Sequence, residues 1–201
     1  MMRSVLAIPR VYDLFQDLLG GKRSRQHFVE QHVRAQPGDC LLDIGCGTAQ
    51  LLNFLPDVNY FGFDANPKYI EAARDRYGPR GVFLHDTVTE RSLEGIPSCD
   101  IVVATGVLHH LDDAAANHLF VLAHSALKPG GRVVTFDPCL EEEQSPIARF
   151  LVLKDRGDHM RYPRQYRDLA GAVFQDTRCF TYHRLLRVPY TMCALELKKR
   201  C

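Results

Sequence analysis

Short apolar runs alternate with segments of helical periodicity along most of this chain, and that alternation restricts the folds open to it. Strand-like runs recur at Cys40–Ile44, Tyr60–Asp64, Val82–Leu84, Asp100–Ala104 and Arg132–Phe136. Helical segments are expected between them: about 48–55, then Pro67 to the Gly78-Pro79 break, then about 113–127, with Leu119, Leu122, Ala123 and Ala126 on one face. Strands separated by helices join a parallel sheet, whose two faces must both be covered. The tail differs. Ser145-Pro146 opens a helix carrying Ile147, Phe150 and Leu151 as far as Gly157, and Pro163 opens another reaching about Phe174. Two β-rich runs, near 177–183 and 188–197, then follow with no helix between them, so they are expected to be antiparallel. Upstream, Val11, Leu14, Phe15, Leu18 and Leu19 stripe one amphipathic helix that Gly20-Gly21 stops, and a second spans about Ser24 to Val33. The expectation is an α/β, doubly wound, mostly parallel seven-stranded sheet with a C-terminal antiparallel hairpin.

Length and charge narrow the class of protein. At 201 residues the chain fits one domain that buries roughly two-thirds of its unfolded surface. A net charge of +1 offers no basic excess for a nucleic-acid partner, and none is expected. The seven cysteines show no CxxC spacing and read as reduced thiols in buried strands. No run reaches the roughly 20 apolar residues of a membrane span. Pro9, Arg10 and Asp13 interrupt the apolar N-terminus where a signal peptide needs continuity. A cytoplasmic protein without a membrane partner is expected.

The chemistry concentrates where strands end. Asp43-Ile44-Gly45-Cys46-Gly47-Thr48-Ala49 sits where a buried strand turns toward the expected helix. Glycines there let the backbone approach a ligand, and amides at a helix start suit an electronegative group. Asp64 ends the second strand, 21 positions after Asp43, where a carboxylate can accept both hydroxyls of a ribose. Asp86 and Thr87 follow the third strand, within reach of an adenine edge. The fourth strand ends in Thr105-Gly106-Val107-Leu108-His109-His110. These loops share the carboxyl edge of the sheet, where open α/β folds bind ligands.

Together these residues resemble class I S-adenosylmethionine-dependent methyltransferases of the small-molecule type, over about residues 36–197. Leu41 to Thr48 is similar to the first motif, Phe63-Asp64 to the ribose-binding acid, and Leu127-Lys128-Pro129-Gly130-Gly131 to the turn before strand five. The resemblance implies a Rossmann-like fold, S-adenosyl-L-methionine as cofactor and a small-molecule acceptor methylated on oxygen, nitrogen or carbon. It places Asp43, Gly45, Cys46 and Gly47 at the methionine moiety, Asp64 at the ribose, Ala65, Asp86 and Thr87 at the adenine, and Thr105 at the amino-acid end. His109 and His110 become the candidate bases. Adjacent residues on a helical turn point apart, so only one is expected to reach the acceptor. Tyr12, Arg149, Arg156 and His159 are candidates for acceptor binding, for which the charged residues between 149 and 161 suit a polar or anionic molecule. No metal is implied. Within one methyltransferase domain the expected parts are an N-terminal helical lid (1–36), a cofactor-binding core (37–140), a cap insertion (141–161), and the last helix and strands (162–201).

Two departures from the family pattern stand out. Ala49 replaces a third glycine, and the loop after strand four lacks the Asn/Asp-Pro-Pro-Tyr of nucleobase and glutamine amine methylation. A nicotinamide-dependent reductase stays open as an alternative, although Gln50 stands where its fingerprint wants a last glycine. A non-catalytic cofactor-binding scaffold also stays open.

Overall fold

The structure is a computed structural model that describes residues 17–155 and 157–200. Its centre is one seven-stranded sheet, built from β1 (Cys40–Ile44), β2 (Asn59–Asp64), β3 (Val82–His85), β4 (Cys99–Thr105), β5 (Leu127–Pro138), β6 (Asp176–Tyr182) and β7 (Met192–Lys198). The strands run in the order β3-β2-β1-β4-β5-β7-β6. The first five pair in parallel, and β7 pairs antiparallel with both β5 and β6. This is the Rossmann-like sheet and terminal hairpin that the strand pattern predicts.

The wholly buried β1 separates two apolar layers. Leu42 and Ile44 join one with Val102, Ala104 and Val133, covered by α4 (Asp113–Ala126) and α6 (Pro163–Gly171). Leu41 joins the other with Ile101, Val103 and Val134, covered by α1 (Gly21–Phe28) and α2 (Pro67–Tyr77). Successive strand residues point to opposite faces, which is why one run of apolar residues serves both layers. A short α3 (Glu90–Leu93) precedes β4, and α5 (Pro146–Leu153) follows β5.

Several boundaries differ from expectation for local reasons. The stretch expected as a helix over about 48–55 is a single 3-10 turn, Gln50–Asn53. Ala49 before it is left-handed (φ 56) and Pro56 follows, leaving less than two α-helical turns between them. β5 starts early because Leu127 already pairs with Cys99, while Lys128 to Gly131 bulge out before Arg132 pairs with Ile101. On α5, Ile147 (61% exposed) and Phe150 (58%) face outward, and the helix packs through Ala148 and Val152 instead. It ends at Leu153, before Gly157.

The helix expected near 24–33 is α1 continued by a π-helical turn, Val29–Val33. It belongs to the sheet-covering layer: Phe28 stacks on Phe136 at 4.9 Å, and His32 bonds Glu196 and Tyr182 at 2.8 Å each. The stripe formed by Val11, Leu14 and Phe15 lies outside the described residues. Six free cysteines are described, five of them buried.

Gly62 in β2 shows how tightly this architecture is set. A Cβ there would lie 2.8 Å from the Tyr60 ring and 2.9 Å from Cys46 Sγ. Gly62→Ala is therefore expected to destabilise the protein by about 1–3 kcal/mol through overpacking. Denaturant titration checks this, and an unchanged midpoint would mean the strand relaxes freely.

Candidate active site

The sheet order reverses between β1 and β4, so the loops leaving these strands diverge and open a crevice at their carboxyl ends. Gly45, at φ 73, starts the first loop, and a Cβ on it would lie 2.5 Å from Val107 Cγ2 in the second. The absent side chain lets the two loops touch. Gly47, at φ 55, has no heavy atom within 4 Å of a notional Cβ, so the loop's tip borders open space.

The amide hydrogens of this loop are largely engaged within the protein. Gly45 and Cys46 both donate to Phe63 O (2.8 and 2.9 Å), Gly47 donates to Asp64 Oδ2 (2.9 Å), and Ala49 donates to Cys46 O (2.9 Å). Only a four-residue 3-10 turn follows, with no helix dipole to add. The turn that follows the loop is thus shorter than the expected helix, and the carboxylates of Asp43 and Asp64 lie beside the loop. Asp43 is buried (1% exposed), and its Oδ2 accepts from the Tyr60 hydroxyl at 2.7 Å while Oδ1 has no hydrogen-bond partner. Burial pushes its pKa up to about 7, with the Tyr60 hydrogen bond pulling the other way.

Asp64 is half-buried and holds its own loop together, with Oδ1 accepting from Asn66 N at 2.8 Å. Ala65, Asp86 and Thr87 are exposed along the rim, and Asp86 Oδ1 accepts from Thr87 N at 2.8 Å. His85 Nε2 lies 3.1 Å from Ala65 O and links the ends of β2 and β3. Thr105, half-buried, ends β4, and Gly106 turns the chain at φ 66.

The histidines differ from expectation. They share one 3-10 turn (Leu108–His110) and their rings lie 4.0 Å apart instead of pointing away from each other. His109 is buried, with Nδ1 2.9 Å from Asp137 Oδ1 and Nε2 3.7 Å from Asp155 Oδ1. Burial alone would lower its pKa, but the carboxylates, Asp137 foremost, raise it to about 9. His110 is exposed, and desolvation and the neighbouring imidazolium lower its pKa. Arg149 and His159 are exposed on and after α5, and His159 N donates to His109 O at 3.0 Å. Tyr12 and Arg156 lie outside the described residues.

Tyr60 and Asp137 are functional candidates that the sequence did not single out, while Asp155 and Arg161 stood only within the charged stretch 149–161. Asp43 pairs with Gly62 across β1 and β2, and Tyr60 is two residues earlier on the same face. A polar residue in a buried strand facing a glycine was a legible signal for Tyr60. Asp137 follows the rule that picked out Asp64, an acid at the carboxyl end of a buried strand.

The loops after β1 and β4 thus lie at the switch point of an open α/β sheet, the place where folds of this class bind ligands. A family model described as a methyltransferase domain matches residues 42–133. The chain is 28% identical over 159 residues to phosphoethanolamine N-methyltransferase 1 of Arabidopsis thaliana, covering 76% of this chain and 32% of that protein. It is 28% identical over 159 residues to a ubiquinone/menaquinone biosynthesis C-methyltransferase of Stenotrophomonas maltophilia, covering 72% and 61% respectively. It thus spans between about a third and three-fifths of the length of these two relatives. Human N-acetylserotonin methyltransferase in complex with SAM shares the fold, with a TM-score of 0.69 at 16% identity, covering 98% of this chain and 56% of that one. The chain is thus similar to S-adenosylmethionine-dependent methyltransferases in its domain match over 42–133, in these relatives and in its fold. Among the described residues, no helix is long and apolar enough to cross a membrane.

The buried carboxyl generates a test that needs no substrate. Asp43 should titrate near pH 7 by carboxyl-carbon NMR, and Tyr60→Phe should move that midpoint higher, because the hydroxyl stabilises the ionised form. With a folded-state pKa above the unfolded value, the group's contribution to stability is full below about pH 4 and declines up to about pH 7. Asp43→Asn should remove that slope. A midpoint near 4 in the parent would contradict the burial of this group.

Proposed function

We propose that this chain transfers the methyl group of S-adenosylmethionine to a polar or anionic small molecule. The observation that carries this reading is the state of the glycine loop: its amides are engaged internally, while Asp43 and Asp64 line the crevice. A pyrophosphate would meet carboxylates there with few free donors, whereas an amino-acid ammonium and a ribose would be well received. This favours methyl transfer over the nicotinamide reductase.

Asp43, through its unpartnered Oδ1, would face the ammonium directly or through water. Gly45, Cys46 and Gly47 would let the methionine chain lie against the backbone, with Thr105 closing its other side. Asp64 retains lone pairs for the ribose hydroxyls beyond its two backbone donors. Ala65 would pack on the adenine, and Asp86 with Thr87 would meet its edge.

When bound, the sulfonium supplies an activated methyl group, so in-line placement of the acceptor at roughly 3 Å provides much of the acceleration. The protein's part is to orient the acceptor, exclude water and take a proton where the acceptor must lose one. His110, exposed and with a lowered pKa, is suited to that transfer. His109, flanked by two carboxylates, carries its proton at neutral pH and has no lone pair to offer. The exposed cations Arg149 and Lys154 would draw an anionic acceptor toward the cap. Residues 141–161 then act as cap and 37–140 as cofactor core.

Isothermal calorimetry with S-adenosylhomocysteine should give micromolar affinity, on the order of −8 kcal/mol. Asp64→Ala should weaken it by roughly 1.5–3 kcal/mol, as hydrogen bonds to a charged group are lost. Affinity should fall about tenfold from pH 8 to pH 6 as Asp43 takes up its proton, and Asp43→Asn should abolish that dependence. Tighter binding of NAD(H) than of S-adenosylhomocysteine would overturn the reading.

A further inference from the structure

The segment after α5 meets the loop after β4 through several independent contacts. His159 N donates to His109 O at 3.0 Å. A Cβ on Gly157 would lie 2.1 Å from His109 Cδ2 and 2.5 Å from His109 O, so only a residue without a side chain fits. The buried Arg161 donates to Leu108 O (2.9 Å) and Leu111 O (2.7 Å) and pairs with Asp113 at 2.7 Å. At the centre lies His109, with Asp137 of β5 on one nitrogen and Asp155 of the segment on the other.

We propose that Asp137, His109 and Asp155 form an ionic clasp that fastens the segment 157–161 over the loop after β4, making His109 and Asp155 positioning residues rather than proton-transfer groups. The proposal rests on the methyl-transfer reading only for what the fastened segment covers; the clasp itself is a property of the fold. Asp137 stands at hydrogen-bond distance from one ring nitrogen and Asp155 at ion-pair distance from the other, and both carboxylates favour the doubly protonated ring. Asp137 anchors the ring to the sheet, since its Oδ1 also accepts from His109 N at 3.3 Å. Asp155 is the partner contributed by the segment after α5, and the Tyr190 hydroxyl donates to its Oδ2.

The other groups facing the ring are consistent with this charge state. His110, whose ring lies 4.0 Å away, has a lowered pKa and adds little competing charge, while Asp158 is a further acid within reach of His110. Arg161 directs its charge to backbone carbonyls and Asp113. His109 has a folded-state pKa of about 9 against 6.5, so the clasp is complete below about pH 6.5 and is lost as pH rises through about 9.

Asp155→Asn tests the clasp in the full chain, because Asp155 is accessible and the substitution leaves the core untouched. Hydrogen exchange, corrected for intrinsic rates, should show the amides of 157–161 exchanging at least roughly tenfold faster in the variant, with β1 and β4 unchanged. Asp155→Glu should restore most of the protection. Imidazole NMR should place His109 near 9 in the parent and lower in Asp155→Asn. In the parent alone, protection of 157–161 should fall between pH 8 and pH 10. Unchanged exchange and an unchanged His109 midpoint in Asp155→Asn would overturn the clasp. Calorimetry with S-adenosylhomocysteine separates the two readings: its failure to bind the parent would sink the methyl-transfer reading, while the exchange and NMR results would still decide the clasp.

Discussion

A carboxyl group buried in the sheet beside the glycine loop, held by one hydroxyl, conditions much of what surrounds it. Moving Asp43 from 3.8 to about 7 corresponds to roughly 4 kcal/mol against its ionised form, so the fold carries this residue at a cost of several kcal/mol. The cost is contained by the placement of Tyr60, whose ring needs room on both sides. Gly62 and Gly81 provide it, since a Cβ on either would lie 2.8 Å from the ring. Two glycines on or beside strands, where glycine is otherwise unfavourable, are thus explained by one hydrogen bond.

The same constraint shapes the electrostatics of the crevice. Asp43 and Asp64 lie beside the glycine loop, while the imidazolium of His109, in the loop after β4, lies between Asp137 and Asp155. The carboxylates beside the glycine loop thus meet hydrogen-bond donors, and the two beside the cap share one buried cation.

Comparing expectation with structure shows where local patterns lose their authority. The strand positions were legible because a parallel strand covered on both faces must be apolar almost throughout, as Leu41, Leu42 and Ile44 are. The helix expected after β1 failed because apolar content at 51–55 says nothing about the backbone of Ala49, whose left-handed conformation delays the turn to Gln50 while Pro56 closes the run soon after. On α5, Ile147 and Phe150 were reasonable candidates for a buried face, yet Ala148 and Val152 took that role. An eight-residue helix carries too few turns for periodicity to single out the inner face.

From the residues alone followed the α/β class, the parallel core finished by an antiparallel hairpin and the acids at the strands' carboxyl ends, because these depend on periodicities of two and 3.6 residues and on spacing along the chain. The three-dimensional fold decided what those residues do to one another. It placed Tyr60 against Asp43 through a register that no local window contains, and it set Asp137 and Asp155, 18 positions apart, on opposite nitrogens of His109. It thereby separated two adjacent histidines that look equivalent in sequence, one buried between carboxylates and charged, the other exposed and neutral. The protonation state of a side chain depends on burial and on charges brought near it by distant segments, and those exist only once the sheet has assembled.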